Sequence, residues 1–187
     1  MNHAAHNKLV SFIWSIADDC LRDVYVRGKY RDVILPMVVL RRLDTLLEPT
    51  KDAVLEEVRF QRKEMKATEL DDAPLKEASG YVFYNTSKWT LKQLYSTATN
   101  NQQILLANVE EYLGGFSDNV KEIIDCFKLS AQMRHMAGKQ VLLDVLEKFI
   151  SPWINLAPHD VQDPDGNTMP GLSNLGMGYV FEELIRR

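Results

Sequence analysis

Arg22, Arg27, Lys29, Arg31, Arg41 and Arg42 are concentrated between positions 22 and 42 of the sequence. Guanidinium and ammonium groups clustered in this way are suited to phosphate oxygens, whose neutralisation supplies much of the affinity of a protein for a nucleic-acid backbone. Lys29, Arg31, Arg41 and Arg42 are the candidates for DNA contact, and Lys88, Arg134 and Lys139 stand as scattered further ones. Asp18, Asp23, Asp32 and Asp44 are interleaved with the cluster. The competing reading is therefore a solvated face of compensating ion pairs. The chain as a whole carries a formal charge of −4, so any DNA contact must be local or helped by a partner.

Other chemistry is sparse. Acidic pairs occur at Asp18-Asp19, Glu56-Glu57, Asp71-Asp72, Glu110-Glu111 and Glu182-Glu183. Adjacent residues point to different sides of a helix, so none of these pairs makes a shared carboxylate site. His3 and His6 read as a frayed, solvated terminus, His135 as a surface residue, and His159 as a loop residue without companion ligands. Cys20 and Cys126 sit among apolar residues and read as buried free thiols. Metal-ligand spacing is not met. No glycine-rich phosphate loop follows a strand, and Gly176 and Gly178 flank Met177 inside a helical pattern. The sequence therefore offers no catalytic, cofactor-binding or metal residues.

The elements that must position the cations are helical. Hydrophobic residues make up 45% of the 187 residues and charged residues 26%, the composition of an ordinary globular domain. Leu9, Phe12, Ile13, Ile16, Ala17, Cys20, Leu21 and Val24 recur in steps of three and four, predicting a helix over about 5–25. A second helix over about 29–48 is apolar from Val33 to Leu40, with Pro36 near its first turn and Arg41, Arg42, Asp44 and Glu48 at its more solvated end. Residues 51–66 form an outer helix anchored by Val54, Leu55, Val58, Phe60 and Met65. Residues 67–78 make a loop with a short helix.

Tyr81 to Tyr84 favour an extended segment, which needs a partner strand or support from the helices. Thr90 caps a short helix. Residues 101–113 form another, with Ile104, Leu105, Val109 and Tyr112 inward, and Gly114-Gly115 stops it. Ser117 caps a helix with Val120, Ile123, Ile124 and Phe127 inward, and residues 142–150 form one more. Residues 158–171 read as a long loop. Ser173 caps a last helix with Met177, Val180, Phe181, Leu184 and Ile185 inward. The expected fold is mainly α, a multi-helix bundle with at most a short extended segment near Tyr81–Tyr84. A domain over 1–172 precedes a helix, 173–187, whose periodicity runs to the last residue, as expected of a link into a further domain. No signal peptide or membrane-spanning run is evident, and a cytoplasmic protein is the expectation.

The stretch 14–44 resembles the opening helices of type I restriction–modification modification (M, HsdM) subunits. The likeness rests on Trp14, Ala17-Asp18, Leu21-Arg22, Tyr30 and Leu40-Arg41-Arg42-Leu43-Asp44. Three later stretches match one branch of that family: Gly80 with Phe83-Tyr84-Asn85, Tyr112 with Phe116-Ser117, and Met177-Gly178 with Phe181-Glu182-Glu183-Leu184-Ile185-Arg186-Arg187. In the family the last motif leads into an N6-adenine methyltransferase domain that binds S-adenosylmethionine and carries an Asn-Pro-Pro-Phe/Tyr motif. Neither the cofactor motif nor that catalytic motif occurs here, and the resemblance implies no methyl transfer by this chain alone.

The resemblance further implies partners: a specificity (S) subunit, a second M subunit, the restriction (R) subunit and double-stranded DNA. The expected role is DNA clamping and subunit assembly. The alternative is a helical module that docks on protein alone, marked by an exposed apolar patch at Tyr81–Tyr84 or on the last helix. An unrelated small enzyme would require a pocket with convergent polar groups.

Overall fold

Helical periodicity at the start of the chain becomes α1 (His3–Ile16), which buries Leu9, Val10, Ile13 and Ile16. The computed structural model describes residues 3–186; Arg187, the last residue of the C-terminal motif, lies outside the described residues, as do the first two of the 1–172 domain. A π-helical turn, Ala17–Leu21, prolongs α1, and a 3-10 turn, Arg27–Lys29, leads into α2 (Tyr30–Leu47). Pro36 lies inside α2, one turn further in than expected, and removes the N–H that would bond the carbonyl of Asp32. α2 is the central helix: Val33, Ile34, Met37, Val38 and Leu40 are all buried, as an all-round apolar helix requires.

The remaining helices wrap around it. They are α3 (Lys51–Lys63), α4 (Asp72–Ser79), α5 (Leu91–Thr97), α6 (Gln102–Gly114), α7 (Asp118–Cys126), α8 (Leu129–Gly138), α9 (Leu142–Phe149) and α10 (Asn174–Arg186). One large core draws on α1, α2 and α5 to α10. A small second cluster of Val54, Val58, Leu75 and Tyr84 joins α3 and α4 to the segment after them. Leu142, Val145, Leu146 and Phe149 of α9 have no exposed surface, and each such side chain contributes roughly 1.5–3 kcal/mol of transfer free energy. Thr90 and Ser173 cap α5 and α10 through bonds from the N–H groups of Gln93 and Gly176.

Several sequence expectations change. The strands lie in the supposed loop: β1 (Val161–Gln162) and β2 (Thr168–Met169) form an antiparallel hairpin. Asp163 closes its turn by accepting bonds from the N–H groups of Asp165 and Asn167. Helix α8 adds to the expected set, burying Leu129, Met133, Met136 and Ala137 at helical spacing. Phe60, Ile104, Ile123 and Ile185 are exposed rather than inward, because their helices lie at the surface and bury a narrower stripe, and Met65 and Phe127 are exposed just past the ends of α3 and α7. Cys126 is exposed and Cys20 half-buried. α1 is helical from His3 onward and His6 is buried, so the histidine pair is not a frayed end. α10 turns Met177, Val180 and Leu184 inward, and packs on α1 and α2.

The extended segment after α4 finds its partner after α6. Asn85 and Phe116 form an antiparallel bridge, the Thr86 N–H bonds the carbonyl of Gly115 at 2.7 Å, and the Ser117 N–H bonds that of Tyr84 at 3.0 Å. The buried Asn85 side chain donates to the carbonyl of Tyr112. Its Oδ1 accepts from the Ser87 N–H, the Ser87 hydroxyl and the Lys51 ammonium. A Cβ at Gly115 would come within 2.7 Å of the Ser87 nitrogen and 2.8 Å of Asn85 Oδ1, so this crossing requires glycine. Gly115→Ala should cost about 1–3 kcal/mol, the range for overpacking a filled site, read as a lower urea midpoint; Gly114→Ala, which meets nothing within 4 Å, is the matched control.

Candidate nucleic-acid interface

The joint between α1 and α2 carries the exposed cations. Arg22, Arg27, Lys29 and Arg31 are all at the surface. Lys29 Nζ lies 3.8 Å from Asp32 Oδ2, both well solvated, a pairing of small energetic value. None of the ion pairs among the described residues uses Arg27 or Arg31. A notch of about 370 Å³ opens here, lined by Trp14, Asp18, Arg27, Gly28, Tyr30 and Arg31. Asp18, in the π-helical turn, follows Trp14 by four residues, the spacing that sets both on one helix face. Lys88 is exposed over the Trp89 ring at 4.8 Å, Arg134 pairs with Glu110 at 3.3 Å, and Lys139 is exposed at the C-terminal end of α8; none of the three lines the notch.

Arg41 and Arg42 lie elsewhere. They were expected at a solvated helix end, but Arg41, Arg42 and Asp44 are only 8%, 6% and 3% exposed. The correction follows from what packs on the end of α2. Arg42 Nη1 donates to the carbonyls of Leu156 at 2.8 Å and Leu172 at 2.7 Å, and Nη2 to Asn174 Oδ1 at 3.2 Å. Burial holds the Arg42 guanidinium below its ordinary pKa. Arg41 Nη1 bonds Asp44 Oδ2 at 2.7 Å, and its remaining edge borders a cleft of about 600 Å³ beside Thr45, Lys92 and His159. Nothing in the sequence between 154 and 174 announced that its carbonyls would gather around one guanidinium.

Asp44 joins three elements. Its Oδ1 accepts from the Leu91 N–H at 3.1 Å and the Tyr112 hydroxyl at 3.0 Å. Burial pushes its carboxyl up, and Arg41, the Leu91 N–H and Tyr112 pull it back. Nearby, burial pulls the Lys51 ammonium down to about 8, with Asp44 opposing.

A cleft of about 540 Å³ also lies between α1 and the β1–β2 hairpin, lined by His6, Leu9, Phe12, Trp153 and Met169 among others. The His6 ring packs against Gly176 and Tyr179, and burial lowers its pKa. No group of three or more His, Cys, Asp or Glu among the described residues is placed to hold a metal ion. No helix among them is long and apolar enough to cross a membrane.

The chain is a mainly α bundle whose buried charges brace its own helices, with one group of exposed cations at the α1–α2 joint. The profile of the HsdM N-terminal domain matches residues 9–149. The chain belongs to that family, the N-terminal domain of the modification subunit of type I restriction–modification systems. Comparisons with curated proteins and with solved structures give no match. The matched region runs from the first buried leucine of α1 to the end of α9, so the segment that Arg42 holds, and α10, lie beyond it.

Two measurements check the polar interior. Arg42→Ala leaves the Leu156 and Leu172 carbonyls without this donor and should cost about 1–3 kcal/mol in urea denaturation, the range for leaving a buried hydrogen-bonding group unsatisfied. Arg42→Lys should recover only part, since an ammonium lacks the planar fork. Lys51 gives a pH signature. Its folded pKa of about 8 lies below the ordinary 10.5, so between these values the unfolded chain binds more protons and stability rises with pH. The stability of the wild type minus that of Lys51→Met should rise from pH 8 to pH 10 by up to roughly 1.4 kcal/mol per unit; a flat difference contradicts the assignment.

Proposed function

We propose that the chain is the non-catalytic, DNA-clamping and subunit-assembly domain of a type I restriction–modification N6-adenine DNA methyltransferase subunit. Membership of the HsdM N-terminal domain family over residues 9–149 is the observation that carries the reading. In this proposal the full-length subunit binds S-adenosylmethionine and performs the methyl transfer in the cytoplasm. The domain works with a specificity subunit, a second modification subunit, the restriction subunit and double-stranded DNA.

The phosphate contacts fall to Lys29 and Arg31, which are exposed, and not to Arg42, whose donors are engaged inside the fold. A chain of net charge −4 cannot hold a polyanion tightly by itself. Within an assembly, tethering raises the effective concentration, and a few contacts suffice.

A second reading, docking on protein without DNA contact, is favoured by one exposed stripe. Asn119 Nδ2 bonds the carbonyl of Val82, which sets the exposed Val82 at the head of a line continued by the exposed Ile123 of α7 and Phe127 at its C-cap. The two readings separate in a mobility-shift titration of the assembled modification complex. Lys29→Ala and Arg31→Ala should each weaken DNA binding several-fold and lower the slope of log affinity against log salt by about 0.9 per lost phosphate contact. If both leave affinity and slope unchanged, the docking reading stands in its place.

A further inference from the structure

Resting on the DNA-clamping reading, we infer that the notch between the π-helical turn and the start of α2 seats one backbone phosphate of duplex DNA. Arg27 and Arg31 hold it from two sides, and Asp18 acts as an opposing charge that keeps the contact weak. Three observations converge on this notch. It is concave, about 370 Å³, whereas Lys29 beside it lies in the open and already faces Asp32. Two guanidinium groups line it against one carboxylate, and neither guanidinium is in an ion pair among those of the described residues. A planar guanidinium offers paired N–H donors matched to phosphate oxygens.

The third observation is where these cations sit. Arg27, Lys29 and Arg31 lie in the turn that opens the 18-residue α2, with Asp32 as the acid of its first turn. That end of a helix carries positive partial charge, so cations there are unfavourable by a few tenths of a kcal/mol each. An incoming anion reverses the sign of the arrangement, drawing on both arginines and on the helix end. The walls are firm, since Tyr30 is buried and Trp14 packs against the large core. The mouth is open: a Cβ at Gly28 would meet nothing within 4 Å, so a sugar–phosphate chain can run past it.

Asp18 supplies the discriminating test, because neutralising it should improve binding, which a damaged fold does not do. In the assembled modification complex, Arg27→Ala and Arg31→Ala should each weaken affinity for a duplex oligonucleotide by about 3–10-fold and reduce the salt slope by about 0.9. Asp18→Asn should tighten binding by about 2–5-fold, with melting temperatures unchanged throughout. Gly28→Cys in a Cys126→Ser background, carrying a photo-crosslinker, should capture DNA, while the same background without the new cysteine should not.

If Arg22→Ala and Lys29→Ala weaken binding while Arg27→Ala, Arg31→Ala and Asp18→Asn are silent, the notch assignment is overturned and the clamping reading survives. If all five are silent, both fall. Inorganic phosphate should compete poorly, lacking the neighbouring contacts of a duplex. Saturation by micromolar phosphate with the duplex unaffected would make the notch a small-anion site and overturn the proposal.

Discussion

A carboxylate and a guanidinium buried two residues apart on the central helix constrain the whole arrangement. Charge taken out of water is costly unless its hydrogen-bonding capacity is met. Asp44 is met by Arg41, by the first N–H of α5 and by the hydroxyl of Tyr112 on α6. Arg42 is met by two carbonyls and an amide from the stretch that leads into α10. Residues in sequence position 42 and 44 on a helix face well apart, so the two charges secure different parts of the bundle. Apolar packing would allow these helices to slide; directional bonds to single atoms do not. The N-terminus of α5 and the entry to α10 are thereby fixed to the same turn of α2.

The same constraint explains what the sequence does and does not reveal. Periodicity in α1, α2, α9 and α10 reports apolar stripes directly, and the caps at Thr90 and Ser173 follow from hydroxyl chemistry one residue before a helix. The need of the 81–84 segment for a partner is a matter of backbone donors and acceptors: Ser117 meets Tyr84, while the side chains of Ser79 and Asn119 meet residues 81–83. What is not local is not visible. Arg41-Arg42 looks like a basic surface because its partners lie 114 and more residues away in sequence for Arg42, and because the acid that holds Arg41 looks like a neutralising neighbour. The β1–β2 hairpin is only two residues deep, below the length at which alternation can be recognised. At the candidate interface the cations Lys29 and Arg31 could be picked from composition, whereas the concavity is a tertiary feature, lined by Trp14 and Asp18 from one element and Arg27 and Arg31 from the next.

Sorting the basic cluster by burial also divides α2 into two ends with different work. Its C-terminal end spends charge inward and holds the bundle together. Its N-terminal end keeps Lys29 and Arg31 in solvent, against the preference of a helix for acids at that position. Local rules broken without a compensating bond inside the fold are where function is expected to sit. By that criterion the break at Arg41 and Arg42 is only apparent, since both are compensated, whereas at the start of α2 Arg31 has no ion pair among those of the described residues and Lys29 has only a solvated one with Asp32.

The acidic balance of the chain then becomes intelligible. Strong affinity for DNA in this domain would hold a complex at any sequence, because phosphate contacts carry no sequence information. If recognition belongs to another subunit, a clamp is useful only when its own contacts are too weak to act before that recognition has occurred. In the proposed clamp, a net charge of −4, with aspartates interspersed among the cations of the α1–α2 joint, would produce that weakness, and tethering would make up the difference once the assembly is in place. In such a design the carboxylates beside the cations are as necessary as the cations, since removing them would yield a domain that binds more tightly and discriminates less.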